Sequence, residues 1–178
     1  MSKIYVLVLL LVIFAGLYGL SSHGKDTYLS EINSHFFNGS NQCQASTEKI
    51  NPDNPNIKEY FHKVVKVPYK ADYNSSIPKK PVQFWKDNYG DCDDKSAAFA
   101  DYLNRIGAED VKIVIIVHNS REYSHCVVMW KNHIFDPSLV PPIYNMEKTK
   151  YFSSLKKNGF NLQVTYPYTY YKKCYFNT

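Results

Sequence analysis

Asn88-Tyr89-Gly90-Asp91-Cys92-Asp93-Asp94, running into Lys95-Ser96-Ala97-Ala98-Phe99-Ala100, is the stretch whose reading decides the fold. Beyond it, Phe99, Tyr102, Leu103 and Ile106 share one helical face. Ala97, Ala98 and Ala100 favour helix, and Gly107 stands where a left-handed glycine closes one. The helix therefore starts near Cys92. Asp91 can cap it, and Asp94 follows three residues later, the spacing of a capping box. A cysteine in the first turn meets unpaired backbone N–H groups and the positive end of the helix dipole, both of which stabilise a thiolate. The carboxylates of Asp91, Asp93 and Asp94 act in the opposite sense, because like charge raises a thiol pKa. An imidazolium close by would settle that competition.

The imidazole comes from the strands that follow. Residues 111–117 (VKIVIIV) are rich in β-branched side chains, and Ser124-His125-Cys126-Val127-Val128-Met129-Trp130 reads as a second strand. Lys131-Asn132-His133 makes a turn, and Ile134-Phe135-Asp136-Pro137 ends a third strand. With a two-residue hairpin loop at Lys131 and Asn132, Trp130 faces His133 and Val127 faces Asp136. His125 then lies on the same sheet face as Val127, diagonal to Asp136, a separation of about 7–8 Å that an imidazole and a carboxylate can bridge. Cys126 points to the opposite face as a small core residue.

A thiol at a helix N-terminus, an imidazole on a strand and a carboxylate on the adjacent strand make a set able to carry out nucleophilic acyl transfer. Gly90-Asp91-Cys92, Ser124-His125 and Phe135-Asp136-Pro137, in that order, resemble the transglutaminase-like superfamily. The spacings are 33 residues from Cys to His and 11 from His to Asp. The resemblance runs over residues 57–137, which is 81 of 178 residues. It implies an α+β fold with a papain-like core, the nucleophile at a helix N-terminus packed on a small antiparallel sheet. It also implies that Cys92 is the nucleophile, His125 the general acid and base, and Asp136 the residue that orients the imidazole. Where many members carry Ala and Trp after the histidine, this chain has Cys126 and Val127, at positions that pack rather than react. One oxyanion donor would be the Cys92 backbone N–H; Gln83, Trp85 and Tyr69 are the upstream side-chain candidates for a second. No metal and no cofactor is expected.

Outward from this core the chain reads less sharply. Ile57, Tyr60, Phe61, Val64 and Val65 follow the spacing of an amphipathic helix opened by Asn54-Pro55 and ended by Val67-Pro68-Tyr69. Tyr28, Leu29, Ile32 and Phe36 suggest an earlier helix, while residues 39–56 and 73–80 read as loops. The alternation in Tyr166-Pro167-Tyr168-Thr169-Tyr170-Tyr171 predicts a strand with Pro167 near an edge.

The first 24 residues stand apart. Residues 4–20 (IYVLVLLLVIFAGLYGL) carry no charge and follow Lys3. As a helix they would span about 26 Å at about 1.5 Å per residue, against a hydrocarbon core of about 30 Å. Residues 1–24 therefore read as a membrane anchor or a signal peptide, and residues 25–178 as the transglutaminase-like domain. The anchor reading gives a single-pass protein with its domain on the extracytoplasmic side; the alternative is a secreted one. Outside the cytoplasm, Cys43 and Cys174 are candidates for a disulfide, and Asn38 and Asn74 match glycosylation acceptor patterns. The net charge of +5, from 21 basic and 16 acidic side chains without a basic stripe, argues against a nucleic-acid partner. At 44% hydrophobic the chain is too apolar for wholesale disorder. The expected function is an exported or membrane-anchored cysteine hydrolase acting on a peptide or protein through a thioester. The alternatives are crosslinking transfer to lysine amines and a non-catalytic scaffold or binding domain.

Overall fold

The computed structural model describes residues 50–72, 77–120 and 122–176. The apolar run at residues 4–20, the helix expected around Tyr28, the acceptor motifs at Asn38 and Asn74, and Cys43 all lie outside the described residues. Among the described residues, no helix is long and apolar enough to cross a membrane.

Helix α1 (Pro55–Lys66) starts where Asn54 caps it, the Asn54 side chain accepting the Asn56 N–H at 2.9 Å. It buries Ile57, Phe61 and Val64, one apolar stripe, and stops at the extended Val67 before Pro68. A short helix, α2 (Pro81–Asp87), lies inside the region between the expected elements and buries Phe84. Helix α3 (Cys92–Arg105) is nearly all buried from Asp94 to Leu103. It closes as expected at Gly107, whose φ is +85°. The N–H groups of Gly107 and Ala108 bond the carbonyls of Asn104 and Leu103, the double return that a left-handed glycine makes possible.

The α3 helix lies on a five-stranded antiparallel sheet: β1 (Lys112–His118), β2 (Ser124–Trp130), β3 (His133–Asp136), β4 (Ile143–Glu147) and β5 (Phe160–Pro167), in the order β4-β3-β2-β1-β5. Alternation sends the side chains of each strand to two cores. Ile113, Cys126, Val128, Trp130 and Phe135 join α1 and α3 on one face. Val114, Ile116, Val127, Met129 and Ile134 pack with Tyr151 of helix α4 (Lys148–Lys156) on the other. Helices on an antiparallel sheet agree with the α+β expectation.

The C-terminal reading needs correction. The strand ends at Pro167, the last residue paired with β1 through Lys112, and Tyr168–Phe176 form a helix, α5. Proline supplies no N–H to continue the ladder. From there the helical spacing of Tyr168 and Tyr171 buries both rings in the α3 core, and the Tyr168 hydroxyl donates to Asp101 of α3 at 3.0 Å. Strand β4 and helix α4 went unread in the sequence, as did α2.

Candidate active site

The elbow before Cys92 is fixed by backbone pairing and by space. Gly90 donates its N–H to Pro68 at 3.2 Å and accepts from Lys70 at 3.0 Å, so residues 68–70 run parallel beside it. A Cβ at Gly90 would come within 2.7 Å of Asp94 Cβ and 2.8 Å of a Phe84 ring carbon; only glycine fits. Asp91 and Asp94 then cap α3 reciprocally, each side chain accepting the other's backbone N–H. Cys92 is thereby held as the first helical residue, half-buried, with a free thiol.

The hairpin carries the other two groups in the expected register. Trp130 pairs with His133, Met129 with Ile134 and Val128 with Phe135, where the paired register ends. His125 Nε2 and Asp136 Oδ2 are 2.7 Å apart. Asp136 is completely buried. Its Oδ2 also accepts the Tyr151 hydroxyl at 2.7 Å, and its Oδ1 accepts the Ser138 N–H, the Ser138 hydroxyl and the Leu139 N–H at 3.0–3.2 Å. Burial alone would raise the Asp136 pKa; the His125 hydrogen bond and charge, with the Tyr151 and Ser138 donors, outweigh it and hold the carboxyl below its usual range. Burial would likewise depress His125. The hydrogen bond to Asp136, the Cys92 thiol group near the ring and the Asp136 charge instead raise it to about 10. With Nε2 on Asp136, Nδ1 is the ring nitrogen left for the Cys92 sulfur. Asp136 thus bonds the imidazole directly, and Cys92 lies near enough to act on the ring's charge.

Two further contacts hold the helix to the strand. Ser96, one turn after Cys92, donates its buried hydroxyl to the Cys126 carbonyl at 2.9 Å. Cys126 itself faces the α3 core, and burial pushes its thiol well above the ordinary value, as expected of a packing residue.

The acidic cluster is more structured than the sequence suggested. Burial first, then a hydrogen bond and charge from Asp91 and the charge of Asp94, push Asp93 up to about 8. Asp93 is thus largely protonated near neutrality, which removes part of the negative charge facing Cys92. Asp94 accepts the Lys79 N–H at 2.6 Å, and the Lys79 ammonium donates to the Tyr89 carbonyl at 3.0 Å while lying 3.4 Å over the Tyr89 ring. Carboxylate oxygens of Asp91, Asp93 and Asp94 lie within 4.8 Å of one another. Among the described residues this is the group whose geometry could hold a cation. The capping box, Lys79 and the protonation of Asp93 already account for its shape.

The side-chain oxyanion candidates fare unevenly. The Gln83 amide donates to Asp87 on its own helix, and the Trp85 N–H donates to the Tyr60 hydroxyl at 3.2 Å. Both are engaged away from Cys92. Tyr69 pairs its backbone with Gly90, two residues from the nucleophile. Of the suggested disulfide pair, Cys174 is a free, exposed thiol in the structure and Cys43 lies outside the described residues. Tyr151 and Ser138 are the site residues that sequence reading missed. Nothing in Lys150-Tyr151-Phe152 signals a partner 15 residues away, whereas Ser138 lies two residues after Asp136, the spacing of a local side-chain turn.

No protein-family model and no curated protein matches the chain. Solved structures of LapG from Legionella pneumophila are similar to it, at 17% sequence identity in each case. The calcium-bound form has a TM-score of 0.41, and covers 49% of this chain and 55% of LapG. The EGTA-treated form and a further LapG structure have a TM-score of 0.42, and cover 49% of this chain and 54% of LapG. The chain thus spans about half the length of the LapG chains it matches, a distant likeness in fold.

Proposed function

We propose that this chain is a transglutaminase-like cysteine hydrolase that cleaves an amide or peptide bond in a protein substrate. The observation that carries the reading is the 2.7 Å His125–Asp136 contact, with the same imidazole near a cysteine that opens a helix. An imidazole whose pKa is raised to about 10 is protonated near neutrality, which puts a positive charge beside the Cys92 sulfur. The Cys92 sulfur attacks the substrate carbonyl, and the electron pair of the C=O bond moves to oxygen. The Cys92 backbone N–H, unpaired in the first turn, bonds that oxyanion. Tyr69 is the side-chain candidate we retain beside it. When the tetrahedral intermediate collapses, the C–N bond breaks and His125 gives its proton to the leaving amine. The neutral imidazole then takes a proton from water, hydroxide attacks the thioester, and the acid leaves as the thiolate is restored. Asp136 holds the ring so that Nδ1 faces the sulfur throughout.

The test is release of amine from a peptide or ester substrate by the wild-type chain and by Cys92→Ala, with and without an added primary amine. Hydrolysis predicts turnover that needs Cys92 and does not depend on the added amine. Equal turnover by Cys92→Ala would refute the reading, and product conjugated to the added amine would favour crosslinking transfer. We further propose an extracytoplasmic, membrane-tethered setting, because residues 4–20 are uncharged and apolar throughout. Finding the protein in the soluble cytosolic fraction with its N-terminus intact would count against that setting.

A further inference from the structure

A cavity of about 620 Å³ lies between α4 and β5. Ile116, Phe152 and Phe160 give it an apolar floor, Gln163 lies opposite Ile116 on β5, and Lys148 and Lys156 line it from the helix. Four features give it a meaning. Ile116 is the direct cross-strand partner of His125. Directly opposed residues in an antiparallel pair lie about 4.5–5.5 Å apart and share a sheet face, so the cavity opens one strand away from the imidazole. No carboxylate lines it, and among the described residues neither lysine has an acidic partner. Lys148 and Lys156 are eight residues apart on one helix, about 12 Å along the axis. Carboxylates four residues apart on an extended chain are about 13 Å apart on one face, with the side chain midway between them on that same face. Lastly, β5 is an edge strand, and the backbone of an edge can receive an extended chain.

We propose that this cavity is a substrate subsite for an acidic, extended segment of polypeptide, two carboxylates meeting Lys148 and Lys156 and an apolar side chain between them resting on the floor. The proposal rests on the hydrolase reading for its link to Cys92, and names the substrate class of that site.

The experiment uses the full chain as Cys92→Ala and a fluorescein-labelled decapeptide with Glu, Phe and Glu at alternate positions. Its counterparts carry Gln for both Glu residues, or Ala for Phe. Anisotropy in low-salt buffer is expected to give at least tenfold tighter binding of the Glu peptide than of the Gln peptide, and weaker binding of the Ala peptide. In Lys148→Gln/Lys156→Gln the Glu preference should vanish. In Lys148→Glu/Lys156→Glu, checked for equal folding by circular dichroism, it should turn into preference for a peptide with Lys at both positions. Equal binding of the Glu and Gln peptides, an unchanged preference in the double Gln variant, or displacement of the peptide by inorganic phosphate at equal charge would overturn the proposal. Glu-selective binding with no hydrolysis of any peptide by the wild-type chain would keep the acidic-peptide site and overturn the hydrolase reading alone.

Discussion

Asp136 accepts five hydrogen bonds while completely buried, one from His125 and four from residues that lie elsewhere. That asymmetry separates its two duties. Oδ1 ties the chain after β3 to the strand end; Oδ2 faces the imidazole and Tyr151. In Asp136→Asn the amide oxygen can keep the Ser138 and Leu139 donors, so the fold should survive. The amide N–H2 would then point at His125 Nε2, which can only accept as a neutral ring protonated at Nδ1, the wrong tautomer for the thiol. In a related serine triad such a change costs about 10⁴ in turnover. A ring already protonated near neutrality depends less on that orientation for proton removal, and we expect a fall in kcat/KM of roughly 10- to 1000-fold, with an unchanged circular dichroism spectrum. Wild-type activity in the Asn variant would remove Asp136 from the catalytic set. Tyr151→Phe takes one donor from the same oxygen. The Tyr151 hydrogen bond lowers the Asp136 pKa, so its loss raises that pKa and should move the acid limb of the pH–rate profile to higher pH. The accompanying loss of rate should be smaller than for Asp136→Asn. An acid limb that stays in place would show Tyr151 to be packing alone.

At the scale of elements, α3 and the β2–β3 hairpin must keep a fixed relation for Cys92 to reach His125, and Ser96 is the contact that joins them near the site. Ser96→Ala leaves the buried Cys126 carbonyl without its donor, at a cost of about 1–3 kcal/mol. It should lower Tm and also slow alkylation of Cys92. Iodoacetamide mapping supplies the comparison within one molecule. Near pH 7, Cys92 and the exposed Cys174 should be modified and Cys126 protected. His125→Ala should slow Cys92 by about tenfold, by removing its cationic partner, with Cys174 as the internal reference. Equal rates at Cys92 and Cys126 would sink the idea. These elements were also the legible ones. The hairpin could be counted because side chains alternate with period two and a two-residue loop fixes parity. The start of α3 was marked by a cap, a capping partner and an apolar stripe. Helix α2 is too short and too polar for any period to register. Helix α5 was misread because Tyr-rich alternation favours a strand locally, whereas burial of Tyr168 and Tyr171 against α3 decides otherwise. Long-range partners such as Tyr151 and Asp136 leave no periodic trace.

At the scale of the whole, the described residues form two cores on opposite faces of one sheet, and the site gathers groups from both: Cys92 beside the α3 core, His125 and Asp136 beside Tyr151. Buried charge concentrated at that junction makes global stability depend on pH. His125 is raised from an ordinary 6.5 to about 10. Its contribution is therefore complete below about 6.5 and is lost as pH rises through 10. Asp93 is raised from 3.8 to about 8, so its contribution is complete below 3.8 and fades as pH rises through 8. Asp136 is lowered, and its contribution is present above the ordinary carboxylate range and is lost as pH falls below it. The sum is a chain most stable on the acid side of neutrality, with Tm falling from about pH 5 to pH 10. Asp93→Asn isolates one component, since an amide keeps the shape of the protonated acid and never ionises. Its Tm should exceed the wild-type value by several degrees at pH 8 and by little at pH 4.5, because about 1 kcal/mol moves Tm by roughly 2–4 °C in a chain of this length. The decline that persists in Asp93→Asn between pH 6.5 and 10 should disappear when His125→Asn is added. Thermal melts followed by circular dichroism at pH 4.5, 6.5, 8 and 10 decide the matter. A constant Tm difference between Asp93→Asn and wild type across those values would mean that Asp93 ionises normally and carries no proton beside Cys92 at neutral pH.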